Sequence, residues 1–320
     1  MKPVRRAVID VGTNSVKLLV ADVSGQQVQP ILEQSKQTRL GRGFYQERRL
    51  QGEAIAATAG AVAGFAQEAR KRDAASIRVV ATSAARDAVN AKELTEAIEQ
   101  ACALRVEVIS GEQEADWVFA GVGTDRRFAG RHLLLLDVGG GSTEFILGQD
   151  EQKHFRASFP IGSVRLMEQV PHTDPPRSEQ LLGCREWLKQ FLKREVRPQL
   201  QPAIEKEVRG QPPQSHRAIQ LVGTGGTATI LARMENQLGE YDRERIEATR
   251  LSLERVRWHT ERLWSLPLAE RKNLLGLPKN RADIILTGAA IYEAIMQQFG
   301  FPELLISTRG LRFAVVMDGE

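Results

Sequence analysis

The chain has 320 residues, long for one domain and comfortable for two, and its 42% hydrophobic content can fill two cores. A mean hydropathy of −0.30 with no long apolar run speaks against a membrane span, and the start MKPVRRAVID runs into a strand without a signal-peptide plan. A net charge of +4 spread without a like-charge block, with only 6% aromatics, disfavours a nucleic-acid surface, and the distant Cys102 and Cys184 show no metal spacing, so a reducing cytoplasm is expected.

In chain order, Val4–Val11 and Val16–Asp22 read as paired strands, Ser24-Gly25 as a turn and Val28–Thr38 as a third strand. The glycine-punctuated loop Arg39–Gly43 comes next, then a helix over Glu53–Lys71 and a strand over Ser76–Ala81. Thr82-Ser83 resembles a cap for a helix carrying Arg86. Glu93–Cys102 is helical, Arg105–Ile109 a strand, and Ser110-Gly111 opens a helix over Glu112–Val122. Three strands followed by alternating helix and strand predict an α/β fold whose mixed sheet begins as a meander. The polar stretch Gly123–Gly130 is a boundary, and the plan then repeats. Leu133–Val138, Glu144–Leu147 and His154–Phe159 are strands, and a proline-rich break spans Pro171–Pro176. Ser178–Val196 is an amphipathic helix. Gly210–Ser215 is a loop, Ala218–Val222 a strand leading into GTGGT, with helix from Ala228. Further helices are expected over Leu253–Trp264, Leu268–Leu274 and Arg281–Phe299, a strand over Leu304–Ser307, and a terminal helix in LRFAVVM. The tryptophans read as core, and the histidines (His132, His154, His172, His216, His259) as scattered surface residues without a ligand pair.

The stretch Leu133–Gly148, LLLLDVGGGSTEFILG, has the plan strand, glycine turn, strand. Glycines allow the backbone to approach a ligand, and successive N–H groups in such a turn form an anion nest. Ala7–Val20, AVIDVGTNSVKLLV, repeats that plan at a constant offset of 137 − 10 = 127, with Asp10 on Asp137, Gly12 on Gly139 and Ser15 on Ser142. Two such hairpins a domain apart indicate an internal duplication and two similar domains facing a cleft. Phosphate-binding residues are therefore expected at Gly12, Thr13, Asn14 and Ser15, and at Gly139, Gly140, Gly141, Ser142 and Thr143. A third turn, Gly223, Thr224, Gly225, Gly226 and Thr227, passes from strand to helix, where free N–H groups and the macrodipole favour anions. Asp10, Asp137 and Glu144 are the carboxylates best placed for a divalent ion such as Mg2+; the alternative is a turn-initiating role for the aspartates and a solvated strand position for Glu144. Lys17 occupies the repeat position of Glu144 and would add positive charge, or else face outward. Glu112, Glu114 and Asp116 compete as the acceptor of a water proton.

The motifs DVGTNSVK, ATSAARDA, SGEQEA, DVGGGST-E, GTGGTAT and ISTRGLR occur in this order between about Ala7 and Leu311. Together they resemble the exopolyphosphatase / guanosine pentaphosphate phosphohydrolase (Ppx/GppA) family of the actin–Hsp70–sugar kinase superfamily, in its short two-domain form. The resemblance implies two ribonuclease-H-like domains with mixed sheets, residues 1–127 and 128–304, with the segment 305–320 available to pack back onto the first. It implies a cytoplasmic, Mg2+-dependent hydrolase that releases orthophosphate from the end of inorganic polyphosphate or from guanosine pentaphosphate. It singles out Glu114 as the base and Arg86 as a cationic clamp on phosphate. Nucleotide-selective members are expected to carry arginine where this chain has Lys17, which leans the reading towards polyphosphate. A kinase of the same superfold and a non-hydrolytic phosphate-ligand sensor are the rival readings. A homodimer is admitted without being specified; nucleic acid and membrane are not expected partners.

Overall fold

The computed structural model describes residues 2–209 and 219–318, so the loop expected at Gly210–Ser215, Ala218 and His216 lie outside the described residues. Backbone contacts divide the chain into two units, one of residues 2–124 with 309–318, the other of residues 125–308. The divisions expected from the sequence fall nearby, at 127/128 and 304/305.

In the first unit, β1 (Val4–Val11), β2 (Ser15–Ser24) and β3 (Gln27–Gln37) form the meander; β4 (Ser76–Ala81) and β5 (Val106–Val108) add in parallel on the other side, giving the order β3-β2-β1-β4-β5. The sequence explains which strands are central. Ile9, Leu18, Val20 and Val79 are fully covered, and they pack on Val62 and Ala66 of helix Gly52–Arg70 and on Leu94 and Ile98 of helix Ala91–Cys102. The outer strand β3 carries the polar run and Pro30, which an inner strand would not tolerate because it lacks an N–H for the ladder. Helix Gly111–Gly123 opens at Ser110, whose Oγ accepts the Gln113 N–H (3.1 Å). The terminal helix Leu311–Met317 returns to this unit, where Arg312 Nη1 donates to Leu18 O (2.8 Å).

The second unit repeats the arrangement. Its strands are β6 (His132–Val138), β7 (Thr143–Gln149), β8 (Gln152–Phe159), β9 (Gln220–Thr224), β10 (Arg250–Ser252) and β11 (Glu303–Ile306), in the order β10-β11-β9-β6-β7-β8. Without the short antiparallel β10, this order matches that of the first unit strand for strand. The run LLLL of β6 is buried on both faces, as expected for a central strand. Phe145 and Phe159 meet edge to face across β7 and β8, their centroids 5.4 Å apart. The sheet packs on helices Ser178–Phe191, Gly225–Glu235 and Ile285–Phe299 through Leu188, Leu231 and Ile291.

Several local expectations are corrected. The helix expected to end at Val196 passes through a π turn, Leu192–Val196, and continues to Arg209 with Pro202 inside it. The π turn shifts the backbone bonding just ahead of Pro198, whose missing N–H would otherwise break the ladder there, while Pro202 lies inside the following α-helix without ending it. The helix expected over Leu268–Leu274 is one turn, Leu268–Arg271, and that expected from Arg281 begins at Ile285. Helices Ser163–Gln169 and Arg243–Glu247 and strand β10 have no counterpart among the expected elements. Thr82 makes no side-chain cap on the short helix Ser83–Asp87. Of the tryptophans only Trp264 is buried; Trp258 is exposed, with the guanidiniums of Arg255 and Arg262 at 4.4 and 5.1 Å from its ring centroid. His259 is buried, not on the surface, its Nε2 paired with Glu235 (2.7 Å). His132 and His154 both meet the Glu207 carboxylate. Among the described residues no helix is long and apolar enough to cross a membrane.

Two of these contacts set stability. A Cβ on Gly121 would lie 2.0 Å from the Gly310 carbonyl oxygen, a backbone atom that has nowhere to go. Gly121→Ala should therefore destabilise the protein by about 1–3 kcal/mol in urea titration. Burial lowers the pKa of His259 from its usual 6.5, against the pull of Glu235 and with help from Arg255 and Arg262. The unfolded chain then binds the proton first as pH falls, so His259 contributes stability above about pH 6.5 that is lost below it. The thermal midpoint should fall more steeply between pH 7.5 and 5.5 in the wild type than in His259→Gln.

Candidate functional site

Each unit places one glycine hairpin at the end of its central strand. In the first, Asp10 lies opposite Lys17 and Val11 opposite Val16, and Gly12 N–H donates to Ser15 O at 3.1 Å. In the second, Asp137 lies opposite Glu144 and Val138 opposite Thr143, and Gly139 N–H donates to Ser142 O at 3.0 Å. Every one of these pairs is preserved at the offset of 127 that the sequence shows. The two turns are therefore the same backbone object.

The segment after the third strand of each unit holds its turn from behind. In the first unit, Thr38 and Arg39 N–H donate to Asn14 O (3.1 and 3.0 Å) and Gly41 N–H to Thr13 O (2.7 Å). In the second, Ser163 N–H donates to Gly139 O (2.9 Å), Val164 and Arg165 N–H to Gly140 O (2.9 and 3.0 Å), and Arg165 Nε to Gly141 O (2.7 Å). The approach is close enough to require glycine. A Cβ on Gly41 would sit 2.2 Å from the Thr13 methyl, and one on Gly162 2.5 Å from the Gly140 carbonyl. In a planar trans peptide the C=O and the next N–H point in opposite directions. Tying back these carbonyls thus turns the N–H groups of Asn14, Gly140, Gly141 and Ser142 to the other side, which is the geometry of an anion nest. Asn14 Nδ2 and Ser15 Oγ are buried without a hydrogen-bond partner in the same turn, as is Ser83 Oγ at the start of the short helix Ser83–Asp87 that follows β4. Such groups call for a ligand with oxygen acceptors. Two expected ligands have other duties: the Thr13 methyl packs under Gly41, and the Thr143 hydroxyl donates to Ile161 O.

The third turn joins the hairpin of the second unit. Thr224 is the parallel partner of Asp137. Gly225 has φ +80°, and a Cβ there would lie 2.2 Å from Asp137 Oδ1, so the aspartate rests against the glycine backbone at the start of helix Gly225–Glu235. Thr227 Oγ1 donates to Val138 O (3.3 Å), and the single proton of the buried Tyr292 hydroxyl is shared between Leu136 O and Thr224 O (3.3 and 3.2 Å), tying β6 to β9. Burial, and then the charge of Asp137, raise the Tyr292 pKa well above its ordinary value, so it stays a donor. Sequence reasoning missed Arg281, whose guanidinium reaches within 3.7 Å of where a Gly226 Cβ would stand. Burial pushes its pKa down to about 10, with Asp283 acting in opposition. The only sequence signal was a basic PKNR run ahead of a small-residue helix.

The carboxylates differ in setting. Glu144 is 1% exposed and accepts the Ser158 hydroxyl at 2.7 Å, and it faces Asp137 directly across the ladder. Two acids opposed in this way repel unless a cation lies between them. Mg2+ takes one or two carboxylates together with phosphate oxygens and water, so this hard-oxygen pair suits it. Among the described residues no group of three or more His, Cys, Asp or Glu forms a complete protein cage for a metal. In the first unit Asp10 is also buried, but its partner across the ladder is Lys17. Of the competing acids in the helix after β5, Glu112 is exposed and Asp116 half-buried, while Glu114 is 8% exposed. Arg86 Nη1 donates to Glu114 Oε2 at 2.9 Å; its neighbour Asp87 is 3.9 Å away.

Known proteins share this arrangement. The sequence model of the Ppx/GppA phosphatase family matches residues 19–320. The chain is 33% identical over 330 residues to a Mycobacterium tuberculosis protein named exopolyphosphatase 2, covering 98% of each, and 26% identical to that organism's exopolyphosphatase 1, covering 98% of this chain and 87% of the relative. Among solved structures, the Ppx/GppA family member of Aquifex aeolicus aligns with a TM-score of 0.77 at 29% identity, covering 99% of this chain and 97% of its own. An exopolyphosphatase from Cytophaga hutchinsonii aligns with a TM-score of 0.85 at 26% identity, covering 98% of each. The two units thus have the ribonuclease-H-like fold of the actin-like ATPase superfamily, and the chain belongs to the Ppx/GppA family of phosphohydrolases.

Proposed function

We propose that this protein is an exopolyphosphatase, releasing orthophosphate from the end of inorganic polyphosphate with Mg2+. The observation that carries the reading is the pair of registered glycine hairpins whose carbonyls are tied back, leaving N–H donors and the orphaned Asn14 and Ser15 groups for phosphate oxygens. The proteins named as exopolyphosphatases at 33% and 26% identity support the same substrate class.

In this reading the donors of Gly12–Ser15 in the first unit, and those of Gly139–Thr143 and Gly223–Thr227 in the second, each bind phosphate, and Lys17 and Arg281 offset its charge in their own units. Asp137 and Glu144 would hold Mg2+, which when bound would polarise the phosphoryl group and relieve the charge on the departing oxygen; Asp10, which faces Lys17, is the weaker candidate for that role. Glu114 accepts a proton from the water that attacks the terminal phosphorus. The phosphorus–oxygen bond to the rest of the chain breaks, and the shortened polyphosphate leaves with the electron pair. Lys17 offers a point charge without the planar fork an arginine would present, which favours a plain phosphate chain over guanosine pentaphosphate.

The test is orthophosphate release from long polyphosphate, short polyphosphate and guanosine pentaphosphate, measured side by side. Polyphosphate should give the higher kcat/KM; faster release from guanosine pentaphosphate would reverse the substrate choice, and phosphate transferred to an acceptor would indicate a kinase. Glu114→Gln should bind polyphosphate normally and lose kcat by about 10²–10⁴-fold. Retained activity would remove Glu114 from the base role.

A further inference from the structure

Arg86 has a geometry that a plain phosphate clamp does not require. It sits on the short helix Ser83–Asp87, directly after β4, and one of its nitrogens serves two protein acceptors. Nη1 donates to Glu114 Oε2 at 2.9 Å and to Ile109 O at 3.1 Å. Ile109 is the last residue before the cap Ser110 of the helix that carries Glu114, and its own N–H donates to Ala81 O at the end of β4 (3.0 Å). The guanidinium therefore spans the ends of β4 and β5 and meets the Glu114 carboxylate where that helix begins. Glu114 is on a long, rotatable side chain in a largely buried position, its side chain 11% exposed against 22% for Arg86. A buried carboxylate without its partner is costly and swings to find another.

We propose that Arg86 is the positioning residue of Glu114: it fixes the carboxylate in place for proton abstraction, binding it and the Ile109 carbonyl through one planar guanidinium. The inference rests on Glu114 being the base. Lysine is a poor substitute: its ammonium could donate to both acceptors, but it rides on a flexible stem without the planar guanidinium that presets the two donor directions of Nη1. The role differs in kind from holding substrate: it acts on the chemical step, through another residue, and has no effect where that residue cannot act as a base.

A double-mutant cycle in orthophosphate release separates the two roles. Arg86→Ala, with an unchanged thermal midpoint, should lower kcat by about 100-fold while KM moves less than about threefold. Added guanidinium ion should restore at least about tenfold of this loss, and Arg86→Lys, which keeps fold and charge if the alanine variant does not, should still lose kcat. In a Glu114→Gln background, Arg86→Ala should cost less than about threefold more, because no base remains to be placed. A KM that rises while kcat holds, or a full further loss in the Glu114→Gln background, would overturn the proposal. A fully active Glu114→Gln would show that the base reading itself has failed, independently of how the cycle closes.

Discussion

The backbone bond from Gly139 to Ser142, and its counterpart from Gly12 to Ser15, constrain everything around them. Each closes a tight turn at the end of a central strand, and the segment after the third strand then takes the turn's carbonyls from behind. That segment can reach them only because Gly41 and Gly162 have no side chain. The N–H groups are left pointing away from the protein's own acceptors. Binding strength in such a nest comes from donors fixed before the ligand arrives, so little reorganisation is needed when phosphate binds.

The chain holds two copies of this object, and they differ in charge at one position. The residue facing the strand-end aspartate is Lys17 in the first unit and Glu144 in the second. An acid facing a lysine is locally neutral and can tolerate phosphate nearby. An acid facing an acid needs a cation. Under the proposed function, the same hairpin would favour phosphate in one unit and a metal in the other. The third turn sharpens the second case, since Gly225 presses its backbone against Asp137 and leaves that carboxylate little freedom.

Much of this was legible in the sequence because it is written in local order. The two hairpins, their offset, the meanders and the identity of Asp10, Asp137 and Glu144 come from apolar runs interrupted by glycine. The illegible part depends on contacts made across the fold. Composition could not separate Glu114 from Glu112 and Asp116; the helix turns Glu114 inward and Arg86 meets it, whereas Glu112 faces water. Arg281 stands more than fifty residues after Gly226 and comes to it only through packing. His259 stands at helical spacing with the apolar Val256 and Leu263, a mark of burial that its residue type masked, and the ring of the exposed Trp258 is met by arginines one helical turn before it and one after. The proline-bearing helix runs on to Arg209 after a π turn at Leu192–Val196 that no local residue pattern marks.

The Mg2+ dependence of orthophosphate release in Glu144→Gln tests this division of labour most directly. The account predicts that half-saturation moves to at least about tenfold higher Mg2+ while kcat at saturating Mg2+ stays within about threefold of wild type, as for a lost ligand or orienting group. An unchanged Mg2+ requirement in Glu144→Gln would contradict it.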